Sequence, residues 1–355
     1  MIMEVRTTRT VDARVLRGLM ESLLRAAGCG PETASTVANV FLEADLRGVG
    51  LQGLDHMHTM IDNLRHGRIN PDGKPRVVKE GAAYALVDGE TGPGQVAGAF
   101  AVDLATRKAT TAGCCAVGVT NSSDVFMLGY YVERIARAGC VGLAFTDSPP
   151  VVRPFGGIER VLGTNPLAIA VPTAGDHPIL LDMATSAQSG SRVRQAAYHD
   201  EDLPEADGVG PDGRPSIKAR EILEGAIGPL GGHKGFGLAF CVGLLAGPLV
   251  GAATGKALST WHQEGVAGPA SKGHFFVAID PAAFGDAAMF GRAVSASIEE
   301  VKGSRKAPGV CEIHVPGERA FAARERSLRE GVPIYDAVWK KTAGLAASLG
   351  VQMPD

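Results

Sequence analysis

The chain has 355 residues, of which 45% are hydrophobic and 21% charged, and its formal net charge is −3. This length exceeds what one small core needs, so we expect two domains or one elaborated domain. The balanced charge, without a dense run of Lys or Arg, argues against nucleic acid as a partner.

The six cysteines show no CxxC spacing and lie mostly in apolar surroundings. This pattern favours buried free thiols in a reducing cytoplasm over disulfides or zinc. The N-terminal residues carry no apolar segment typical of a signal peptide. We therefore expect a cytoplasmic protein.

The first part of the chain has helical patterning. Apolar residues recur every three or four positions over residues 11–27, and Gly28 suits the end of that helix. Further helices are predicted over residues 31–46 and 54–66, and residues 71–82 are interpreted as a linker. The first 70 residues are thus predicted to form a helical subdomain.

Strands and helices alternate from about residue 84 onward, which indicates an α/β sheet with covered faces. Short apolar runs predict strands at residues 85–87, 116–120, 141–146, 167–171, 179–181, 273–280 and 313–315, and helices are predicted at residues 96–110, 129–138, 218–224, 236–253, 287–301 and, as one helix or a pair, 320–349. The polar, Gly/Pro/Asp-rich residues 187–216 are interpreted as a long surface excursion.

The most apolar long stretch, residues 236–253, reaches the lower length limit of a membrane-spanning helix. Four internal glycines, Pro248 and the preceding His-Lys-Gly favour a buried core helix instead. We therefore expect no membrane partner.

Residues 153–186 contain two strand-like runs with small polar residues at their ends, Gly163-Thr164-Asn165-Pro166 before the first and Asp182 to Ser186 after the second. Small residues at a strand end let a ligand approach the backbone, and Thr, Asn, Asp and Ser supply donors and acceptors. The pattern alone leaves a ligand site and a plain hairpin equally open.

Glycines surround Lys234 just before a predicted helix, in the run 231–237. Backbone N–H groups, the helix dipole and a cation would converge there on a phosphate. A flexible loop with a solvated lysine is the alternative. The chain has no GxGxxG after its first strand, so a Rossmann fingerprint is absent. Its His, Asp and Glu residues show no metal-ligand spacing, so no metal is expected.

Five segments together resemble one family: ADLRG (44–48), GTNPLAIAVP (163–172), LDMATS (181–186), PLGGHKGFGLA (229–239) and VPGE (315–318). They are similar to the malate/L-lactate dehydrogenase family that lacks a Rossmann fold and includes ureidoglycolate dehydrogenase, sulfolactate dehydrogenase and Δ1-piperideine-2-carboxylate reductase. The resemblance runs in register over about residues 11–320.

This resemblance implies an α/β fold with a mixed-sheet, non-Rossmann nicotinamide-binding domain over residues 76–301. A helical dimerisation subdomain would combine residues 1–75 with about 302–355. The family is dimeric, uses NAD or NADP, and transfers hydride to or from C2 of a 2-oxo acid, a 2-hydroxy acid or a related imine. A small-molecule substrate and a homodimer are therefore expected.

Cofactor contacts are also implied by the resemblance. Carried over position by position, they fall on Ser148, Asp182, Met183, Ala184, Lys234, Pro316, Gly317 and Glu318.

Two catalytic segments depart from the family pattern. Where the family has Ser-His-Gly, this chain has Leu51, Gln52 and Gly53. The family has an Arg three residues after that Gly, and this chain has His56 there. Where the family has its general acid/base His and a Gly, this chain has Asp124 and Phe126. The candidate catalytic residues are therefore Asp124, Gln52 and His56.

These departures have chemical consequences. An exposed Asp124 is ionised at pH 7 and has no proton to give, but it would pair with a protonated imine or amine. Gln52 can hydrogen-bond but cannot act as an acid or base. His56 would hold a substrate carboxylate more weakly than Arg, and Phe126 should fill space near cofactor or substrate.

Three interpretations follow. The first is an NAD(P)-dependent reductase acting on an imine, an amine-bearing compound or another altered 2-oxo or 2-hydroxy acid. The second is an enzyme of this fold with non-redox chemistry, and the third is a binding paralogue without catalysis.

Overall fold

The computed structural model describes residues 8–258 and 271–354. In the N-terminal region the elements are β1 (Thr8–Val11), α1 (Ala13–Ala26), α2 (Pro31–Leu46), two short 3-10 turns (Gly50–Gln52 and Leu54–His56) and α3 (Met57–Arg65). The central elements are β2 (Arg76–Gly81), β3 (Tyr84–Asp88), α4 (Gly94–Ala112), β4 (Cys114–Ser122), α5 (Gly129–Arg137), β5 (Val141–Thr146), β6 (Leu167–Val171) and β7 (Ile179–Met183). Then follow α6 (Gly190–Tyr198), β8 (Gly208–Val209), β9 (Pro215–Ser216), α7 (Ala219–Glu224), β10 (Ala226–Ile227), α8 (His233–Ala246), β11 (Lys272–Ile279), α9 (Ala287–Gly303), α10 (Glu318–Glu330), β12 (Val332–Tyr335) and α11 (Asp336–Ser348).

A mixed seven-stranded sheet in the order β2-β3-β4-β11-β5-β6-β7 forms the centre of the fold. Only the β3–β4 pair is parallel, and the other neighbouring pairs are antiparallel. The late strand β11 lies in the middle, between β4 and β5, so it brings residues from the end of the sequence beside the early strands. The predicted mixed α/β sheet is confirmed, and the two strands predicted at residues 167–171 and 179–181 pair as the hairpin of β6 and β7.

One face of this sheet packs against α4 and α5. The buried side chains alternate along β4 and β11, as Val117, Val119 and Phe276 show, because successive residues of a strand point to opposite faces. Tyr131 of α5 is fully buried in this core, and its hydroxyl donates to the Val125 carbonyl at 2.7 Å. That bond fixes the β4–α5 loop, residues 123–128, to the core.

A second core is helical. Helix α1 presents the predicted apolar stripe, and its start is capped by the Asp12 carboxylate, which accepts from the backbone of Arg14 and Val15. This stripe packs with α2, α3, α11 and the two-stranded ribbon of β1 and β12. The N-terminal and C-terminal segments thus share a core, as the expected grouping of residues 1–75 with about 302–355 requires; the boundaries themselves stay a prediction.

Four local predictions are wrong. The expected linker contains strand β2, which pairs with β3 at the edge of the sheet and is mostly exposed, so it carries no apolar signal. The expected excursion contains α6, whose buried side chains are the short Val193, Ala196 and Ala197. The expected strand at 313–315 is irregular. The last strand is instead β12, which lies between α10 and α11, in the stretch 320–349 that was predicted to be one helix or a pair.

The expected buried helix at 236–253 is also corrected. Helix α8 begins earlier, at His233, and ends at Ala246 before a Gly-Pro step. The stretch His233–Val250 is long and apolar enough to cross a membrane by length and composition, yet only 39% of it is buried. Leu238, Phe240 and Leu244 are exposed. The glycines of this helix let it pack closely on one side, and its other side is an uncovered apolar face.

All six cysteines are free, as predicted. Only Cys29, Cys115 and Cys140 are buried, so the expectation that most are buried holds for half of them.

Candidate active site

A cavity of about 690 Å³ opens between the sheet and the helical core. Its walls come from the β6–β7 hairpin, the β4–α5 loop, the turns at 50–56, the start of α6 and the start of α10. It brings together Gln52, His56, Asp124, Ser148, Asp182, Met183, Ala184, Pro316 and Gly317, which are nine of the predicted site residues. Segments that are far apart in the sequence therefore meet at one place.

Two predicted cofactor residues do not line this cavity. Lys234 is exposed in the first turn of α8. The loop before it is tied to the hairpin, because the Leu230 N–H donates to the Thr185 carbonyl at 3.0 Å. Glu318 turns away to pair with Lys302 at 2.5 Å. Cofactor contact by Lys234 and Glu318 stays a prediction.

Asp182 lies at the end of β7 and caps α5. Its Oδ2 accepts from the Gly129 N–H at 2.7 Å, where the helix dipole favours a negative charge. The carboxyl is open to the cavity but enclosed by protein on its other sides. This desolvation raises its pKa to about 6, although the Gly129 N–H and Arg47 favour the ionised form.

A hydroxyl cluster lies on the neighbouring wall. The Ser148 and Thr164 hydroxyls are 3.1 Å apart, and the Asn165 backbone N–H donates to Ser148 Oγ at 3.2 Å. The buried Asn165 amide in turn donates to the Ala239 carbonyl of α8 at 2.9 Å. The segment GTNP is therefore held in place by α8, and its hydroxyls face the cavity.

The β4–α5 loop is strained and tightly anchored. Phe126 has φ = 61°, and Asn121 just before the loop has φ = 55°, values that residues other than Gly seldom adopt. The Gly94 N–H donates to Ser123 Oγ at 2.8 Å. A Cβ on Gly94 would lie 2.2 Å from the Ser123 carbonyl oxygen, so only glycine permits this approach. Asp124 is thereby fixed at the cavity wall.

Lys272 is the partner of Asp124. Its Nζ donates to Asp124 Oδ1 in a close ion pair. The lysine side chain is 2% exposed and the aspartate side chain 25% exposed, and both residues line the cavity. The Asp124 carboxylate was expected to be available for a cationic substrate. Oδ1 of this carboxylate is paired with a cation of the protein, and pairing of Asp124 with a cationic substrate stays a prediction.

A buried histidine lies two residues beyond Lys272 on β11. His274 Nε2 donates to the Ser123 carbonyl at 2.9 Å, so its Nδ1 accepts from the Thr146 hydroxyl at 2.7 Å. Burial lowers the pKa of His274 to about 4, since the interior disfavours the charged ring. The ring is therefore neutral at pH 7 and joins the loop to strand β5.

The turns at 50–56 form the opposite wall. Phe126 lines the cavity as predicted, and its ring meets Phe41 at 4.8 Å and His56 at 5.2 Å, both edge-on. Behind the turns, the buried Asp45 accepts from the Leu54 N–H at 2.8 Å. Burial raises the pKa of Asp45 to about 8, so this carboxyl is mostly protonated at pH 7.

Three arginines, Arg47, Arg194 and Arg319, line the cavity, and the first two differ in their partners. Arg47 is buried, pairs with Glu43 at 2.9 Å and with Glu133, and stacks over Phe321. Arg194 of α6 donates to the Ser191 hydroxyl at 3.1 Å. Across residues 8–258 and 271–354, no carboxylate pairs with Arg194 within 4.0 Å, and desolvation lowers the pKa of its guanidinium.

Three side chains at the cavity edge come close enough to resemble a metal site, although the sequence shows no such spacing. Ligand atoms of Glu312, His314 and Glu318 lie within 4.8 Å of one another. Lys302 pairs with both carboxylates, at 3.6 Å and 2.5 Å, so a protein cation already balances their charge.

With this geometry in place, comparison with known proteins decides the family. The malate/L-lactate dehydrogenase family model matches residues 11–342. The chain belongs to the malate/L-lactate dehydrogenase family. It is similar to malate dehydrogenase of Pyrococcus horikoshii, with 38% identity over 93% of this chain and 92% of that one. The solved structure of that enzyme superposes with a TM-score of 0.90 at 36% identity, covering 98% of this chain and 97% of the other.

Other members of the family carry different names. The chain is 30% identical to the NAD(+) ureidoglycolate dehydrogenase of Escherichia coli K12, over 93% of this chain and 94% of the relative. It is 32% identical to Δ1-pyrroline-2-carboxylate reductase of Ancylobacter novellus, over 92% and 94%. The protein is thus an oxidoreductase of a family that acts on small hydroxy and imino acids and uses NAD or NADP.

The cavity residues suit a nicotinamide cofactor. Helix α10 begins beside Gly317, which has φ = 101°, so its first N–H groups suit a phosphate. Arg47 Nη1 and Gln52 Oε1 are buried polar atoms without a hydrogen-bond partner in the part of the chain that the structure describes. Such atoms are expected to be satisfied by a ligand or by water, since leaving them unpaired is costly.

Sequence reasoning missed Lys272, His274 and Arg194. Nothing near Lys272 in the sequence marks it, and its relation to Asp124 depends on β11 inserting between β4 and β5. Arg194 was not predicted as a site residue because the segment that forms α6 was interpreted as a surface excursion.

Proposed function

We propose that the protein is an NAD(P)-dependent reductase or dehydrogenase of a small acid, either a 2-oxo/2-hydroxy acid or a cyclic imino acid. One observation carries this proposal: a single cavity joins the expected cofactor residues Asp182–Ala184 and Pro316–Gly317 to the Asp124–Lys272 pair and to Arg194. The Asp124–Lys272 ion pair, the Arg194 cation and the expected cofactor residues thus line one cavity of about 690 Å³, a size typical of small-ligand sites.

A bound NAD or NADP would supply or accept the hydride at C2 of the substrate. The protein would hold the cofactor with the α10 N-terminus and the hydroxyls of Ser148 and Thr164. Asp182, with its raised pKa, offers both a donor and an acceptor near pH 6. Lys234 does not line the cavity and remains the expected contact for a cofactor phosphate.

The substrate carboxylate would bind to Arg194. Arg194 is an exposed residue that lines the cavity, and among the described residues its guanidinium donates only to the Ser191 hydroxyl and pairs with no carboxylate, so it can bind an anionic ligand. His56 faces the cavity from the turns at 50–56 and would assist from that side. An acid substrate is thus favoured even though this chain has His56 at the position where the family pattern has an arginine.

The Asp124–Lys272 pair bears on the choice between oxo acid and imine. A lone Asp124 would select a cationic imine, whereas the pair carries both charges and accepts either class. The buried Oε1 of Gln52 would accept a hydrogen bond from the hydroxyl of a 2-hydroxy acid or from the N–H of a protonated imine. The proposal therefore includes oxo acids as well as cyclic imines.

We also propose that the protein is a homodimer, as the family resemblance implies. Phe240 and Leu244 are one turn apart on the uncovered side of α8, with Cys241 between them, and all three are exposed. A second copy would cover this apolar face, because contiguous exposed apolar surface marks an interaction site. Cytoplasmic location stays the expectation from cysteine usage.

The test of the proposal is a titration of the purified protein with NADH and with NADPH, followed by nicotinamide fluorescence. Turnover is then measured with oxaloacetate, Δ1-pyrroline-2-carboxylate and, in the oxidative direction, malate and ureidoglycolate. We expect saturable binding of at least one nucleotide and turnover of at least one acid.

Absence of binding of both nucleotides would overturn the proposal. Binding without turnover of any acid or imine would instead support the non-catalytic interpretation. Turnover of an uncharged ester at the same rate as the acid would refute the role of Arg194.

A further inference from the structure

Lys272 occupies an unusual position for a lysine. It is the first residue of β11, the central strand, and pairs with Ser122 of β4. The register of the two strands shifts between Lys272 and His274, which re-aims the start of the strand. The residue is 1% exposed, yet it lines the cavity. Its buried ammonium therefore lies at the wall of the cavity.

Burying an ammonium costs several kcal/mol, even when a carboxylate balances it. An apolar side chain of similar length would fill this position without that cost. Buried charges that are not needed for stability are typical of functional sites. The ion pair with Asp124 stabilises the buried ammonium of Lys272. Because the pair lies at the cavity wall, the ammonium can contact a bound substrate.

The chemistry of the two partners differs. Asp124 accepts a hydrogen bond from Lys272, so its carboxylate acts as an acceptor and has no proton to deliver. The ammonium of Lys272 has three N–H bonds, so it can serve a carboxylate and a second acceptor together. Lys272 is consequently the partner that can both polarise a carbonyl oxygen and give it a proton.

The surroundings hold this pair in place. His274, neutral because burial lowers its pKa to about 4, donates to the Ser123 carbonyl and thereby fixes the residue before Asp124. Among the described residues, the charged or titratable groups that face Lys272 include Asp124 on the β4–α5 loop, Asp147 after β5, and His274 on its own strand. A preorganised donor of this kind stabilises charge that develops in the transition state.

We propose that Lys272 is the proton donor of the reaction and that Asp124 is its positioning residue. This inference rests on the proposed function. In the reductive direction, hydride adds to C2 and the C=O or C=N π electron pair moves to the oxygen or nitrogen. The new O–H or N–H bond forms as one N–H bond of Lys272 breaks, which leaves a neutral amine. Solvent returns the proton to the amine, and oxidation runs through the same steps in reverse.

The test compares Lys272→Met, Lys272→Arg and Asp124→Asn with the wild type. Lys272→Met should lower kcat by about 10²–10⁴-fold, the usual contribution of a general acid, and leave the Kd for the nicotinamide nucleotide unchanged. Lys272→Arg should be similarly impaired, because a guanidinium keeps the charge but does not give up its proton. The matched control is Lys256→Met, which removes an exposed lysine that pairs with Glu159 at 2.7 Å away from the cavity; it should leave kcat unchanged.

Asp124→Asn distinguishes the two roles. If Lys272 is the donor, the variant keeps measurable turnover, and the pH at which the reductive rate falls moves to lower values, since the protonated amine has lost its anionic partner. A merely structural role of Asp124 would lower the rate equally at every pH. Nucleotide binding, followed by fluorescence, shows in each case that the variant is folded.

Turnover of Lys272→Met within about threefold of the wild type would overturn the inference. Complete loss of activity in Asp124→Asn at every pH, with nucleotide binding intact, would overturn it as well and make Asp124 the acid. If Lys272→Met fails to bind nucleotide, Asp124→Asn and Lys272→Arg decide the matter by the same outcomes. Failure of the wild type to bind any nucleotide would refute the proposed function instead.

Discussion

His274 should make the stability of this protein depend on pH in a defined window. Its ring is fully buried and lies between the Thr146 hydroxyl and the Ser123 carbonyl. Burial lowers the pKa of His274 in the folded state to about 4 from its ordinary value of 6.5. Between these two values the unfolded chain binds more protons at this position than the folded chain does, so stability is lost as pH falls from 6.5 to 4.

The size of this effect follows from the shift. A difference of one pKa unit corresponds to about 1.4 kcal/mol. The shift from 6.5 to about 4 therefore predicts that His274 removes about 3 kcal/mol from the free energy of unfolding by pH 4. Above pH 6.5 both states hold a neutral ring, and no such loss is expected.

Urea unfolding at several pH values between 4 and 8 measures the effect. Other groups titrate in the same range, so the relevant quantity is the difference between wild type and His274→Gln. A glutamine can still donate to the Ser123 carbonyl and accept from the Thr146 hydroxyl, but it does not ionise. The difference should be constant above pH 6.5 and should shift by about 3 kcal/mol in favour of the variant by pH 4. A difference that does not change with pH would refute the assignment of a buried neutral His274.

Three further variants test the site and its assembly. Arg194→Ala should raise KM for an acid substrate about 10–150-fold, the equivalent of 1.5–3 kcal/mol for a charge-assisted contact, whereas Arg192→Ala, which removes a rim arginine paired with Glu201, should not; equal effects of the two would contradict carboxylate binding by Arg194. Gly94→Ala should cost about 1–3 kcal/mol of stability through overpacking and lower kcat, because the new Cβ would meet the Ser123 carbonyl at 2.2 Å; unfolding and turnover together measure it. The double variant Phe240→Glu with Leu244→Glu should sediment as a monomer, and an unchanged mass would place the dimer contact elsewhere.

The sequence allowed the fold to be predicted well where local pattern and tertiary role agree. The stripe of α1, the hairpin of β6 and β7, and the alternation of strands and helices all follow from periodicity. Strand β2 could not be predicted because it is an edge strand with mostly exposed side chains. Helix α6 escaped because small buried residues, Ala196 and Ala197, produce little apolar signal.

The site was predictable only in part, for a related reason. The cofactor residues are contiguous in motifs such as Asp182–Ala184, so a resemblance could locate them. The ion pair of Asp124 with Lys272 joins residues 148 positions apart, and the contact arises from the order of strands in the sheet. No local pattern encodes the insertion of β11 between β4 and β5.

This insertion changes the meaning of the departures at the catalytic positions. Taken one at a time, an aspartate in place of a histidine suggests a lost acid. Taken with its partner, Asp124 belongs to a buried pair whose other member carries transferable protons. The loop that presents Asp124 has a positive φ at Phe126 and a close contact with Gly94, and the strand before it has a positive φ at Asn121; such strain persists where the surrounding structure enforces it for a function. A site left to drift would not need to bury a lysine, anchor its partner through His274 and Gly94, and keep both at the cavity wall. The geometry therefore supports the proposal that catalysis at this site is altered and not lost.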